Sequence, residues 1–259
     1  EESMTGVVFT IDDGYRDFHR DMAPLFREFN CPVTVFLTTG FLDRRFWFWW
    51  DQLSYALSFT ELSEVGLPGS GRSVPLNSTR NRDLVHRQFV KYVKSFPEDR
   101  RGEEIQRLLE IFQVEIPDHP PSRYAPMTWG EVRWQAMHGV DFGPHSVTHP
   151  SMASCDTHRV FREIQGSLAR LQEELENPLP VFCYPYGLAG DISQTTAEMV
   201  REAGLSGAVT AQAGYVTSGR NDGRTNLFLL PRFGFPDRLT EIQQIVFGAE
   251  RFKEIVRGS

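Results

Sequence analysis

Two adjacent aspartates and a pair of histidines have the types and the spacing that could do chemistry in this chain. Asp12 and Asp13 directly follow the apolar run 7–11 and precede a glycine. Neighbouring carboxylates repel each other unless a metal ion, another cation or a shared proton holds them. His145 and His149 are separated by three residues, a spacing that lets two imidazoles face one point.

Together these side chains predict a site made of two histidines and one carboxylate. Such a donor set leaves coordination positions open and suits Zn, Co, Mn, Ni or Fe(II). A histidine pair alone indicates a metal site only weakly, because two surface or capping histidines can show the same spacing. The aspartate pair at a second strand end makes the metal site the stronger interpretation.

The elements that must position these residues alternate between strands and helices. Apolar stretches predict strands at 6–11, 33–37, 140–143, 180–184, 207–210 and 229–232. Helical periodicity predicts helices at 18–30, 129–138, 160–175, 195–203 and from 240 to about 256. This alternation favours a parallel α/β fold, either a barrel or an open doubly wound sheet. Functional residues gather at the carboxyl ends of the strands in both folds.

A segment without this alternation lies between residues 44 and 125. It opens on a cluster of aromatic residues and continues into a charged helical stretch at 80–112, which Pro97 divides. A proline-rich stretch ending at Pro121 leads back to the alternating pattern. We therefore expect one domain over residues 1–259, with a mostly helical insertion at about 44–125.

Composition and charge exclude several classes of protein. The formal net charge of −7 gives no basic excess that would favour nucleic acid, and no apolar run approaches the length of a transmembrane helix. No Gly-rich phosphate loop and no signal peptide are visible. The scattered cysteines Cys31, Cys155 and Cys183 do not form a disulfide framework, so we expect a reducing, cytoplasmic location.

Three motifs occur in a characteristic order along the chain. They are Thr-Ile-Asp-Asp-Gly at 10–14, His-Ser-Val-Thr-His-Pro at 145–150 and Phe-Cys-Tyr-Pro-Tyr-Gly at 182–187. Together they resemble the polysaccharide deacetylases, which form carbohydrate esterase family four. The resemblance covers roughly residues 6–43 and 125–235 and leaves out the insertion.

The resemblance implies a fold and a division of labour between the two aspartates. The fold would be a distorted (β/α) barrel with about seven parallel strands. Asp13, His145 and His149 would hold a divalent metal, zinc first, with cobalt, manganese, nickel or iron as alternatives. Asp12 would be the general base that takes a proton from water activated by this metal.

The third motif would supply the site that binds the oxyanion. Tyr186 matches the family position whose backbone N–H helps to hold the tetrahedral oxyanion. Pro185 would make this turn rigid and Gly187 would permit it. An ordinary strand-ending turn is the alternative interpretation of the same residues.

Two departures from the family pattern affect the residues around Asp12. Cys183 stands where the family has an arginine that steers the base, and no histidine follows His158, although typical members use a late histidine as general acid. Arg232 lies in a late segment where a strand end should reach the site. We hypothesise that Arg232 replaces the missing cation and pairs with Asp12 or with substrate; a surface arginine on a loop is the alternative.

The aromatic cluster at 46–50 holds three of the five tryptophans. These rings either pack the insertion against the main fold or form a sugar-stacking wall or a lipid-facing edge beside the site. We favour packing and keep Trp50 as the candidate for substrate contact. Asp51, directly after the cluster, is expected to cap a helix.

These observations favour a metal-dependent hydrolase that removes an N-acetyl, O-acetyl or N-formyl group from a sugar or polysaccharide. For the N-acyl groups this means hydrolysis of C–N bonds other than peptide bonds. One alternative is hydrolysis of a non-sugar amide or cyclic amide on the same fold. Another is a catalytically lapsed protein that binds glycans. A sugar or glycan is the expected partner, and the oligomeric state is left open.

Overall fold

The computed structural model of this chain describes residues 6–216 and 226–249. The strands in this part of the chain are β1 (Phe9–Ile11), β2 (Val33–Leu37), β3 (Glu64–Gly66), β4 (Ser73–Pro75), β5 (Val140–Pro144), β6 (Val181–Cys183) and β7 (Gly207–Val209). The α-helices are α1 (Ala23–Glu28), α2 (Thr39–Leu42), α3 (Trp49–Phe59), α4 (Thr79–Lys94), α5 (Glu98–Ile111), α6 (Trp129–Ala136), α7 (Thr157–Glu174), α8 (Gln194–Glu202) and α9 (Leu239–Val246).

The chain divides into two compact units. The first contains residues 6–14, the segment Phe18–Thr39 and the described residues from Thr128 to 249. The second contains Tyr15–Asp17 and Gly40–Met127. The second unit therefore includes the whole segment that was expected as an insertion.

The first unit contains a three-stranded parallel sheet with β2 in its centre. Its order is β1-β2-β5, with Phe9 opposite Val33 and Val33 opposite Val140. All five residues of β2 are buried, as expected for a parallel strand that is covered on both faces. The carboxyl ends of β1, β2 and β5 consequently lie along one edge of the sheet.

A second parallel pair, β6 and β7, completes the described strands of the first unit. Leu179 donates its N–H to Phe142 O at 2.7 Å and so links the start of β6 to β5. The segment predicted as a strand at 229–232 contributes a single bridge, between Leu230 and Val209. Leu230 donates its N–H to Ala208 O and Arg232 donates to Gln212 O, so the regular parallel register is not continued past Leu230.

The expected number of parallel strands was too high for the part of the chain that the structure describes. Five strands form parallel ladders there instead of about seven, while β3 and β4 form an antiparallel hairpin. The described residues thus form an α/β fold with two parallel sheets, and no closed ladder joins them. The sequence analysis missed this hairpin because its two strands are only three residues long and show no clear strand pattern, and only the glycines of the turn stand out.

Local signals in the first unit correspond closely to the structure. Thr128 caps α6 and forms a capping box with Glu131. Gly204 ends α8 with φ +83°, a left-handed conformation that glycine adopts readily. The helix predicted at 18–30 divides into a π-helical turn at Phe18–Met22 and α1, with Pro24 in the first turn of α1.

Helices α7 and α8 bury an apolar cluster of the first unit. Its larger buried members are Met152, Ile164, Phe182, Tyr184, Val200 and Phe228. Because Phe182 and Tyr184 flank Cys183, this cluster fixes the end of β6 and the turn that follows it. The last helix, α9, ends at Val246, and the part of its prediction beyond residue 249 lies outside the described residues.

The second unit is mostly helical, as predicted for the insertion. Helices α3, α4 and α5 enclose a buried cluster that includes Leu53, Phe89 and Phe112. Pro97 separates α4 from α5, as expected from the sequence. Within residues 6–216 and 226–249, no helix is long and apolar enough to cross a membrane.

Candidate functional site

The turn after β1 presents the two aspartates. Gly14 donates its N–H to Asp12 O at 2.9 Å, and Thr38 donates to Asp13 O at 3.2 Å, so this turn is tied to the end of β2. Asp13 has φ +73°, which is uncommon for a residue with a side chain and occurs often at functional sites. At this point the backbone leaves the regular strand conformation, in which neighbouring side chains point to opposite faces.

Both histidines of the second motif reach the carboxylate of Asp13. His145 extends β5, since its N–H donates to Leu37 O at 2.9 Å. Its Nδ1 donates to Cys183 O at 2.7 Å, so in the neutral ring the lone pair that can bind a metal is on Nε2. This Nε2 lies 3.5 Å from Asp13 Oδ1. His149 Nε2 lies 3.4 Å from the same oxygen. Both imidazoles are buried.

These three donor atoms fit a divalent metal. They lie within 4.8 Å of one another. Ligands about 2.0–2.1 Å from a tetrahedral zinc ion are about 3.3–3.4 Å apart, close to the separations of Asp13 from each histidine. Burial lowers the pKa of His145, against the opposing charge of Asp12, and so favours the neutral form that binds metals.

Asp12 is held by Arg232 in a two-pronged ion pair. Nη1 of the arginine lies 2.8 Å from Oδ1, and Nη2 lies 2.9 Å from Oδ2. Burial alone would raise the pKa of Asp12, but the hydrogen bonds from Arg232 and the nearby positive charge lower it from 3.8 to about 2. Arg232 thus occupies the place expected for the missing cation, and its side chain is only 16% exposed, unlike that of a surface arginine.

The guanidinium of Arg232 also contacts the ends of several strands. It donates to Thr10 Oγ1 at 2.8 Å, to Thr210 O at 2.9 Å and to Cys183 Sγ at 3.1 Å. The ring of Phe36 lies below it, 5.7 Å from the guanidinium carbon. Burial, together with the charge of Asp12, raises the pKa of the Cys183 thiol, so this residue is neutral and cannot take over the role of an arginine.

The turn of the third motif lies beside the second histidine. The ring of Tyr186 meets that of His149 edge-on, with the centroids 4.8 Å apart. Tyr186 and Gly187 have φ +59° and +68°, and a Cβ on Gly187 would lie 2.6 Å from Ala211 N, so the turn requires glycine there. Pro185 O accepts the N–H of Gly187 at 2.6 Å. The role of the Tyr186 N–H toward an oxyanion stays a prediction.

Two acidic residues that support these loops were missed by the sequence reasoning. Glu163 of α7 accepts hydrogen bonds from the loop between the two histidines, and Asp191 accepts from Ser151 Oγ at 2.7 Å and from Leu188 N at 3.2 Å. The position of Glu163 contained a signal, because it falls three residues after Val160 on the buried face of an amphipathic helix. An acidic residue on such a face needs hydrogen-bond donors.

The aromatic cluster belongs to the second unit. Trp50 stacks on Phe48, with centroids 4.4 Å apart and planes 11° apart, and its Nε1 donates to Tyr15 OH at 3.1 Å. These contacts lie within the second unit, so packing against the main fold and the substrate role of Trp50 both stay predictions. Asp51 does not cap α3, because its Oδ2 accepts from Tyr15 OH at 2.5 Å. Burial raises the pKa of Asp51 to about 6, although this hydrogen bond opposes the shift.

Comparison with known families addresses the resemblance directly. Residues 101–208 match the sequence profile of a family described as polysaccharide deacetylase. The resemblance to the polysaccharide deacetylases is confirmed. The matched segment includes the second and third motifs of this family and ends before Arg232; Asp12 and Asp13 lie outside it.

Three solved structures share the fold. A deacetylase of Streptococcus pyogenes, PplD in complex with acetate, has a TM-score of 0.56 at 15% identity, over 94% of this chain and 72% of that one. IcaB from Ammonifex degensii has 0.51 at 15% identity, over 93% and 72%. The BpsB deacetylase domain from Bordetella bronchiseptica has 0.50 at 17% identity, over 88% and 70%. No curated protein sequence matches the chain.

Proposed function

We propose that this protein is a metal-dependent hydrolase that removes an N-acetyl or related acyl group from a sugar or polysaccharide. The family match and the acetate complex of the similar Streptococcus pyogenes deacetylase support this substrate class. The observation that carries the proposal is the pairing of a metal donor set with a separate carboxylate, which an arginine holds in its charged form before the reaction. Asp13, His145 and His149 form the first, and Asp12 with Arg232 forms the second.

We infer that the first unit is a distorted barrel like those of the solved deacetylases. The parallel strands β1, β2 and β5 on one side and β6 and β7 on the other would be its wall. The guanidinium of Arg232 reaches the ends of β1, β6 and β7 and would close the remaining gap through its side chain.

Each residue of the site has a distinct part in the proposed reaction. Asp13, His145 and His149 would hold the metal, zinc first. A metal bound there would polarise the acyl carbonyl and lower the pKa of a bound water. This matters because a carboxylate with a pKa near 2 is a weak base and can take a proton only from water that has become more acidic. Asp12 then accepts the proton of the attacking water, and Arg232 orients both carboxylate oxygens. The Tyr186 N–H would bind the developing oxyanion.

The proton for the leaving amine also has a source in this arrangement. An arginine does not release a proton near neutral pH, so Arg232 cannot be the general acid. A protonated carboxyl group whose pKa lies near 2 is a strong acid. We therefore assign both transfers to Asp12, which first takes the proton from water and then returns it to the amine.

Metal analysis and acetate release from acetylated sugars test this proposal together. His145→Ala is expected to lose both the metal and activity. Asp12→Asn is expected to keep the metal and to lose about 10²–10⁴-fold in turnover. Asp21→Asn, which changes an exposed aspartate paired with Arg20, serves as the matched control and should behave as the wild type.

Three results would contradict parts of this proposal. Full turnover in Asp12→Asn would exclude this residue as the base. Wild-type protein that takes up no metal and hydrolyses no substrate with added metal would support a glycan-binding protein, whereas activity confined to cyclic amides would favour the other hydrolase.

A further inference from the structure

We propose that Glu163 is a positioning residue, which holds the loop between His145 and His149 in the conformation that binds metal. The inference rests on the proposed function, because it concerns the same metal site. Glu163 lies on α7 and is not itself among the three donor residues.

The contacts of Glu163 are concentrated on this loop. Its Oε2 accepts the backbone N–H groups of Val147 and Thr148, both at 2.8 Å, and its Oε1 accepts from Thr148 Oγ1. Both backbone donors belong to residues between the two histidines. One side chain thus fixes the middle of a five-residue segment whose two ends carry metal ligands.

The conformation of this loop is one that needs such support. Ser146 and His149 have φ +66° and +59°, in the left-handed region that residues with side chains rarely adopt. Each such residue strains the backbone and persists only where surrounding contacts determine its conformation. Ser146 Oγ accepts the N–H of His149 at 2.9 Å and fixes one end of the turn, while Glu163 fixes its centre.

Burial makes the dependence mutual. Glu163 is only 5% exposed, and a buried carboxylate is costly unless hydrogen bonds compensate for its lost hydration. The three donors from Val147 and Thr148 supply this compensation only while the loop keeps its present conformation. Releasing the loop would therefore remove hydrogen bonds from the carboxylate, and removing the carboxylate would take the acceptor from the backbone N–H groups of Val147 and Thr148.

The expected consequence is a change in metal affinity. Residues that orient metal ligands typically contribute 10–100-fold to affinity or activity. Glu163→Ala removes all the acceptors and should weaken zinc binding by about 10–100-fold. Glu163→Gln should lose less than about 10-fold, since its amide oxygen can still accept from both backbone groups.

The test is competition between the metal-free protein and a chromophoric zinc chelator, at a temperature well below unfolding of the metal-free form. Glu173→Ala is the matched control, because it changes an exposed glutamate on the same helix and should leave zinc affinity unchanged. A purely structural role for Glu163 would lower the melting temperature of the metal-free protein without changing the zinc affinity of its folded form. Unchanged zinc affinity in folded Glu163→Ala would thus overturn the inference.

A second pair of variants decides the matter if Glu163→Ala does not fold. Thr148→Ala removes one of the three donors and should bind zinc several-fold more weakly, while Thr148→Ser restores the hydroxyl and should recover the affinity. Equal affinities for these two variants would overturn the inference. A wild-type protein that binds no divalent metal would instead contradict the proposed function itself, so the two failures are distinguishable.

Discussion

Asp12 in the first unit and Asp51 in the second are both partly buried, yet their pKa values move in opposite directions. The pKa of Asp12 falls to about 2, whereas that of Asp51 rises to about 6. Asp12 receives two hydrogen bonds from the charged guanidinium of Arg232, and Asp51 receives one from the neutral phenol of Tyr15.

The difference shows what keeps a carboxylate charged inside this protein. Burial raises the pKa of both groups, and a neutral donor offsets this effect only partly. A fixed cation at both oxygens reverses it. The reaction proposed for Asp12 requires the charged form, so the cation is as much a part of the site as the carboxylate.

The largest effect is expected on the pKa of Asp12 when the guanidinium of Arg232 is removed. In Arg232→Gln, burial remains while the charge is lost, so the pKa of Asp12 should rise from about 2 to above its ordinary 3.8. In the wild type, the lowered pKa stabilises the fold above pH 3.8, and this contribution is lost as the pH falls toward 2. In the variant the lowering is gone, and carbon NMR titration of the Asp12 carboxyl checks the change directly.

The same variant should lose about 10²-fold in acetate release near neutral pH, because the base is no longer held in position. Arg20→Gln, which changes an exposed arginine paired with Asp21, is the control and should have little effect. An Asp12 pKa that stays near 2 without the guanidinium would break the comparison, because some other group would then be holding the charge.

An effect of intermediate size is expected from Asp51→Asn. The folded protein holds a proton on Asp51 up to about pH 6, while the unfolded chain releases it near 3.8. Stability should therefore fall as the pH rises from 3.8 to 6 and stay low above it. The variant has no carboxyl group at this position and lacks this decline. Its free energy of unfolding, compared with that of the wild type, should therefore rise by about 1–3 kcal/mol between pH 4 and pH 8.

Urea unfolding at the two pH values measures this gain, with tryptophan fluorescence as a probe that includes the three tryptophans at 46–50. Glu61→Gln provides a control with an exposed acidic residue of the same unit. If the free energy of unfolding depended on pH in the same way in Asp51→Asn and in the wild type, the pKa of Asp51 would not be raised. The neutral phenol of Tyr15 would then keep the Asp51 carboxylate charged as well as an arginine does.

The smallest effect is expected from Cys183→Ser. The thiol accepts from Arg232 at 3.1 Å, and a hydroxyl can accept in the same place, so acetate release should change by no more than about threefold. Kinetics at saturating metal check this value. A loss of more than about tenfold would show that the sulfur takes part beyond supporting the guanidinium.

The candidate site residues were accessible from the sequence for a physical reason. Asp12, Asp13 and His145 directly follow apolar strands, His149 lies in the loop after His145, and parallel strands bring their carboxyl ends to one edge. Arg232 was accessible as a hypothesis, because the family's arginine is absent at Cys183. Its pairing with Asp12 needed the structure.

The supporting contacts were not accessible, because they join residues that no local pattern connects. Tyr15 and Asp51 are 36 residues apart, and no sequence periodicity relates a phenol after a turn to a carboxylate inside a helix. The apolar residues near 229–232 predicted a strand, but the structure has a single bridge there, because Arg232 donates its N–H to Gln212 O and leaves the regular register that Leu230 begins.

The ion pair between Arg232 and Asp12 spans 220 residues of sequence, and this separation has a consequence for how the protein is made. Asp12 emerges from the ribosome long before Arg232 does. Asp13, His145 and His149 are all present once residue 149 has been synthesised, whereas the cation that pairs with Asp12 follows only with residue 232. The contact that lowers the pKa of Asp12 is therefore one of the last contacts of the candidate site that the growing chain can complete.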